Sequence, residues 1–473
     1  MPRKIICPLL LLMPFLCIAQ IKSKVNAAVQ PTITILRTEP EQPVEGMSVI
    51  VYFQFANISV TPGPITGWIG ADINSGSGAP GVSPADWPIT ELPDRQSVYG
   101  AVAVTLPDAG VNKLLRVFFY STQQQNGTAT TKSPPLYISQ TTINIAALMN
   151  FKLETFTIRH TRARSTDTDW GSLYVSVDDQ AAMNPVSFYL GNFQDGTYPF
   201  LMKDENGQFT KPVESGLFKL IPGNNSTIRM SYFMYNGGSI EDSKGFLKGF
   251  AEGTANPELF KGRRPGSSTV YTLARILNPF FNILGACDGF VAGEVLDISS
   301  NDLFFNSING SMGFSRRFNT EEFASQAGCG NTSDYEIQSQ MKRISTASIP
   351  AYITPVFTSI TTNRKINIRA SMSESITWKR LETIGPNGEF ITVNDPAYGY
   401  FDGNTYTAPR EITRPLLVLV RGVMNRLIMA RGSFQVIEGG SLGTSTAIIQ
   451  LVPGARKLNP VIYNQSVRPR PGQ

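Results

Sequence analysis

The sequence predicts a mainly β protein: two β-sandwich domains flanking a mixed β-rich domain with two short helices. Three observations lead there. Short runs of β-branched and aromatic residues recur along most of the chain, separated by turn residues, with 41 Gly and 32 Pro in all. Within several runs apolar residues alternate, as in Val49, Val51, Phe53 and Phe55, which is the period of a strand with one face in a core and the other in water. Helical spacing, by contrast, is confined to two segments between about residues 239 and 285. At 473 residues, 41% hydrophobic and 16% charged, the chain has room for about three domains, each with its own core.

The elements follow in order. Arg3 and Lys4 precede an apolar run from Ile5 to Ile18, the length of a signal-peptide core and too short for a stable membrane span. Residues 1–19 are therefore expected to be a signal peptide, cut after Ala19 or, by a second small-residue pattern, after Ala27. The mature protein is expected to be secreted or displayed on the extracellular surface. Residues 31–140 predict strands at 32–36, 48–55, 66–72, 98–106, 114–120 and 136–139, a spacing that fits an Ig-like β-sandwich.

Residues 150–343 form the mixed domain. Alternation over 153–160 and 173–177 predicts a hairpin with a charged connection, its two strands paired. One helix is expected from Ser239, a good N-cap, to the stop at Asn256-Pro257; a second carries Val270, Leu273, Leu277, Phe280, Phe281 and Leu284.

The last module, 348–438, is predicted from a strand around Ser375-Ile376-Thr377-Trp378 with a buried tryptophan, a turn through Phe401-Asp402-Gly403-Asn404-Thr405-Tyr406-Thr407-Ala408-Pro409, and strands at 416–422 and 431–437. This order resembles the bacterial Ig-like modules of surface and adhesin proteins, in which a Trp strand is followed by a Gly-x-Tyr-Thr-Ala-Pro segment. Here an extra residue separates Gly403 from Tyr406, and a polar insertion runs from Gly385 to Asp395. The resemblance covers about 90 residues and implies a spacer or binding platform rather than an enzyme. Residues 439–473 read as a polar tail.

Candidate functional residues are few. His160 is the chain's one histidine, which excludes zinc sites built on several imidazoles and leaves a single residue around which any Ser-His-Asp arrangement would have to form. Its neighbours Phe156 and Ile158 suggest a half-buried structural role at a strand end. Of four cysteines, Cys7 and Cys17 fall in the signal segment, so Cys287 and Cys329 are expected to pair as a disulfide closing a loop of about 40 residues, worth about 4 kcal/mol.

Asp167 and Asp169, two apart in Ser165-Thr166-Asp167-Thr168-Asp169-Trp170, are candidate ligands for a hard cation such as calcium, with Asp288 completing the shell. The competing reading is turn chemistry, with the acids holding backbone donors or pairing with Arg159, Arg162 and Arg164. No other cofactor is expected. A net charge of +5, or +3 without Arg3 and Lys4, and the lack of a long basic run argue against nucleic acid.

Recognition remains as the expected function, a non-enzymatic binding or adhesion protein. A cell-surface glycan or polysaccharide is the first ligand class, with Trp68, Trp87, Tyr198 and Tyr235 as candidate sugar-stacking rings. Two alternatives stay open: a membrane-active, toxin-like protein using its amphipathic helices, and a secreted hydrolase with carboxylate-based catalysis.

Overall fold

A computed structural model describes residues 31–58, 63–74, 81–82, 86–121, 136–162, 166–183, 185–203, 206–237, 289–306, 311–319, 332–344, 356–360, 362–367, 376–402, 405–413, 416–424 and 444–451. Over these residues the chain is mainly β, in several antiparallel sheets.

The first module holds β1 (Thr32–Glu39), β2 (Ser48–Ala56), β3 (Ile65–Asn74), β4 (Gly81–Val82), β5 (Trp87–Leu92), β6 (Ser97–Thr105), β7 (Gly110–Tyr120) and β8 (Tyr137–Ile145). β1-β2-β6 form one sheet and β4-β3-β7-β8 another, with β5 beside β3. Val49, Val51, Phe53 and Phe55 of β2 meet Ile69, Val117 and Phe119 of the second sheet in a shared core. β2 is nevertheless buried on both faces, because Tyr52 on its other side packs edge-on to Phe390 of the C-terminal module, with ring centroids 5.4 Å apart. The wet face expected from alternation is covered by another part of the chain.

The middle module comprises β9 (Ala147–His160), β10 (Asp167–Val177), β11 (Gln180–Ala181), β12 (Val186–Phe193), β13 (Gly196–Pro199), β14 (Leu201–Lys203), β15 (Phe209–Pro212), β16 (Glu214–Leu220), β17 (Thr227–Asn236), β18 (Gly289–Ser299), α1 (Ser300–Asn306), β19 (Ser311–Asn319) and β20 (Asp334–Ile344). One sheet runs β11-β10-β17-β18 with β12 beside β10; the other runs β13-β9-β20-β19 with β16 beside β9. Their inner faces close on one core that includes Phe151, Leu153, Phe156, Leu173, Val175, Met230 and Ile337.

This corrects the expected hairpin: β9 and β10 belong to different sheets and do not pair. A register shift against β20 between Leu153 and Thr155 also resets the alternation of β9, so Leu153 and Phe156 both reach the core. The described α-helix is α1, capped by Ser299, whose Oγ accepts from Asp302 N at 3.0 Å. The two helices predicted at 239–256 and 270–284 lie outside the described residues.

The third module contains β21 (Val356–Ile360), β22 (Lys365–Asn367), β23 (Ile376–Ile384), β24 (Phe390–Thr392), β25 (Tyr400–Asp402), β26 (Thr405–Thr407), β27 (Leu416–Met424) and β28 (Thr444–Leu451). β21-β28-β27-β23-β24 form one sheet and β22-β26-β25 a second. β28 corrects the expected tail at 439–473, since residues 444–451 pair along the whole of β27 from Leu416↔Leu451 to Val423↔Thr444. Trp378 lies on β23, but its side chain is outside the described set, as is the strand expected at 431–437. Tyr406 is fully buried and its hydroxyl donates to Tyr398 O at 2.5 Å. Gly399 is required beside it: φ is +76°, and a Cβ would stand 2.3 Å from Thr407 O.

The modules are tied together by specific contacts. Only Ala146 separates β8 from β9, and it exchanges backbone hydrogen bonds with Pro43 and Glu45. Glu45 takes the Arg343 guanidinium on both carboxylate oxygens and also accepts from Ala109 N at 3.1 Å. On the other side Ile384, Leu417 and Leu419 enter the core of the first module, and the Arg37 guanidinium lies 4.2 Å over the Phe390 ring while donating to Gly388 O.

Candidate functional site

The candidate ligands Asp167 and Asp169 open β10, two residues apart, so their side chains share the face that continues into Leu173 and Val175 of the core. Both are fully buried. The partner that meets them comes from the opposite sheet. Tyr335 of β20 places its hydroxyl 2.7 Å from Asp167 Oδ2, and 3.0 and 3.3 Å from the two carboxyl oxygens of Asp169. Asp167 Oδ2 also accepts from the backbone N–H of Arg162, a residue that is itself buried, at 2.7 Å.

The protons in this cluster can be counted. A phenol carries one, and the shorter contact assigns it to Asp167. The same hydroxyl also lies within donor reach of Asp169, at 3.0 Å from Oδ2. Burial, followed by the neighbouring Asp167, pushes the Asp169 carboxyl well above its ordinary range against the opposing pull of the Tyr335 bond. Burial and the two acids likewise push the Tyr335 phenol well above its ordinary value. The Tyr335 hydroxyl is thus the shared donor of the cluster, directed at Asp167 and at Asp169, and it joins the two sheets across the core.

Asp288, Cys287 and Cys329 lie outside the described residues, so the cation shell and the disulfide expected from them are not described. Among the described residues no group of three or more His, Cys, Asp or Glu side chains gathers as a metal shell. The Tyr335 hydroxyl lies within hydrogen-bonding reach of both aspartates.

The remaining predicted residues scatter. His160 is exposed at the end of β9, opposite Asp334, which corrects the half-buried role expected of it; a second register shift against β20, between Ile158 and His160, takes it off the Phe156–Ile158 face. Of the four candidate stacking rings, Trp87 and Tyr235 are buried in core packing, while Trp68 and Tyr198 are half-buried.

Sequence reasoning missed a second buried acid. Glu294 of β18 is 6% exposed; it accepts from the Tyr232 hydroxyl at 3.4 Å and lies 3.8 Å from Arg316. Burial raises its pKa against the opposing effects of Arg316 and Tyr232. Its signal was an acid inside the apolar run Phe290 to Val295. The chain matches no protein-family model, and no curated protein matches it in sequence.

Proposed function

We propose that this chain is an exported, non-enzymatic binding protein whose middle module carries the specificity and whose Ig-like outer modules hold and present it. The carrying observation is the sealing of its acid cluster. Asp167 and Asp169 have the proximity and shifted ionisation that carboxylate catalysis uses, yet both are 0% exposed and spend their hydrogen bonds on Tyr335 and Arg162. A polysaccharide cannot reach them, so this pair serves the fold.

The contacts that tie the modules favour the same reading. Glu45 with Arg343, and Arg37 and Tyr52 with Phe390, fix one module on the next, as a platform that presents a surface requires. No helix among the described residues is long and apolar enough to cross a membrane.

The test is a screen of the purified full-length protein against a glycan array and insoluble polysaccharides, with liposome leakage and a panel of glycosidase substrates alongside. Saturable glycan or cell-surface binding without turnover is expected. Dye release from liposomes, or turnover abolished by a point substitution that leaves the fold intact, would replace this reading with one of its alternatives.

A further inference from the structure

We infer that Tyr189, Phe209, Lys203 and Asn192, at the edge of the middle module, form a binding site for an acidic saccharide of the uronic-acid class. The inference rests on the reading of the chain as a binding protein and adds the place and the ligand chemistry.

The site is made by a bulge. β12 pairs with β10 in regular register from Leu173↔Val186 to Trp170↔Tyr189, then shifts so that Asp169 meets Gly191, leaving Leu190 as the extra residue. Gly191 takes φ +126°, a conformation open to glycine. In an unbroken strand Tyr189 and Asn192 would face opposite sides. The bulge brings them to one side, where the Tyr189 hydroxyl lies 3.4 Å from Asn192 Oδ1. Thr168 Oγ1 donates to the same oxygen at 2.9 Å. With its carbonyl oxygen held by two hydroxyls, the exposed Asn192 amide is left with its nitrogen as a donor to solvent.

The rings stand beside this donor. Buried Trp170 supports Tyr189, with centroids 4.5 Å apart, and Phe209 from β15 lies 6.0 Å from Tyr189 at an interplanar angle of 52°. Phe209 is 38% exposed, high for a phenylalanine with a packed core nearby. Exposed Lys203 of β14 holds its ammonium 5.6 Å from the Tyr189 centroid and 5.4 Å from that of Phe209, and it forms no ion pair with any described residue.

The patch therefore offers aromatic surface, one fixed amide donor and one ammonium that is without an ion pair among the described residues. A pyranose presents polarised C–H groups to a π face, ring and hydroxyl oxygens to an amide, and, when it is a uronic acid, a carboxylate to an ammonium. The Lys203 ammonium beside the rings favours an acidic sugar over a neutral one. Single-stranded nucleic acid fits less well: it requires several phosphate contacts and successive stacking platforms, whereas the ammonium here is single and the rings are inclined to each other. An acidic peptide brings charge without the flat apolar face.

The experiment titrates full-length protein with oligosaccharides of polygalacturonate, alginate and hyaluronan, with neutral dextran oligosaccharides, oligothymidylate and oligoglutamate as comparisons, and follows calorimetry and tryptophan fluorescence. The wild type is expected to bind at least one acidic oligosaccharide and not dextran. Lys203→Gln is expected to weaken that binding about tenfold and flatten its salt dependence, and Phe209→Ala to weaken it more than tenfold, with circular dichroism unchanged in both. Equal binding by wild type and both variants would overturn the site while leaving a binding function intact. So would a preference for dextran, oligothymidylate or oligoglutamate. Absence of any glycan or cell-surface ligand in the broader screen would remove the binding function itself.

Discussion

Replacing Asp169 with asparagine should make the middle module more stable at neutral pH, by an amount that grows with pH. In the fold, burial and the neighbouring Asp167 favour the protonated form of the Asp169 carboxyl. Burial holds its pKa well above 3.8, the value it regains on unfolding. A raised folded pKa contributes stability that is fully present below the unfolded pKa and is lost as pH rises toward the folded one. The slope is about 1.4 kcal/mol per pH unit for as long as the folded protein retains the proton and the unfolded chain does not. Asparagine has the shape of the protonated acid, its amide can donate to Tyr335, and it cannot ionise in either state.

Urea unfolding of both proteins at a series of values from about pH 4 to about pH 8 measures the difference directly, since every other titrating group is common to the pair. The gap in favour of Asp169→Asn is expected to be small at the acid end and to widen as pH rises, by at most about 1.4 kcal/mol per unit. A gap that stays constant with pH, or that favours the wild type increasingly, would show that the Asp169 pKa is not raised in the fold.

Tyr335→Phe leaves the two aspartates facing each other without the hydroxyl and should cost about 2 to 4 kcal/mol at neutral pH in the same assay. Glu45→Ala removes the acceptor for Arg343 and for Ala109 N; a loss of about 1 to 2 kcal/mol is expected, with faster amide exchange at Glu45 and Ala146. Phe390→Ala strips the ring from under Arg37 and from beside Tyr52, costs about 2 to 3 kcal/mol, and should separate the calorimetric unfolding of the C-terminal module from that of the first.

How much of this was legible follows the range of the interactions. Strand after strand was readable, because Val49 to Phe55 or Leu173 to Val177 carry their period locally. What could not be read was which strand lies against which. Alternation over 153–160 and 173–177 looks the same whether the two runs pair edge to edge or face each other across a core, and only the second arrangement occurs. Trp87 reads as a turn-region aromatic until β5 is seen beside β3, where the ring meets Phe53 edge-on at 6.2 Å. β28 carries its own alternation in Thr444 to Leu451, but the polar residues around it hid a strand that pairs the length of β27.

The aspartates make the same argument from the side of chemistry. Their spacing of two was readable, read as a loop or turn where the structure has the start of β10, and it fits a cation shell and a hydrogen-bonded cluster equally well. What separates the two is the identity of the third group, and that group is Tyr335, 168 residues from Asp167 along the chain. A tyrosine in an alternating strand gives no local sign that its hydroxyl will meet two carboxylates across a sandwich. Two acids without that hydroxyl would have needed a metal or solvent to remain buried at this depth. With it both acids share a buried donor, and the site that looked most like chemistry becomes a clasp between one sheet of the middle module and the other. On the binding function proposed above, specificity resides on a surface that ligands can reach, and the proposed site is the one beside the bulge at Asp169, with Tyr189, Asn192, Lys203 and Phe209.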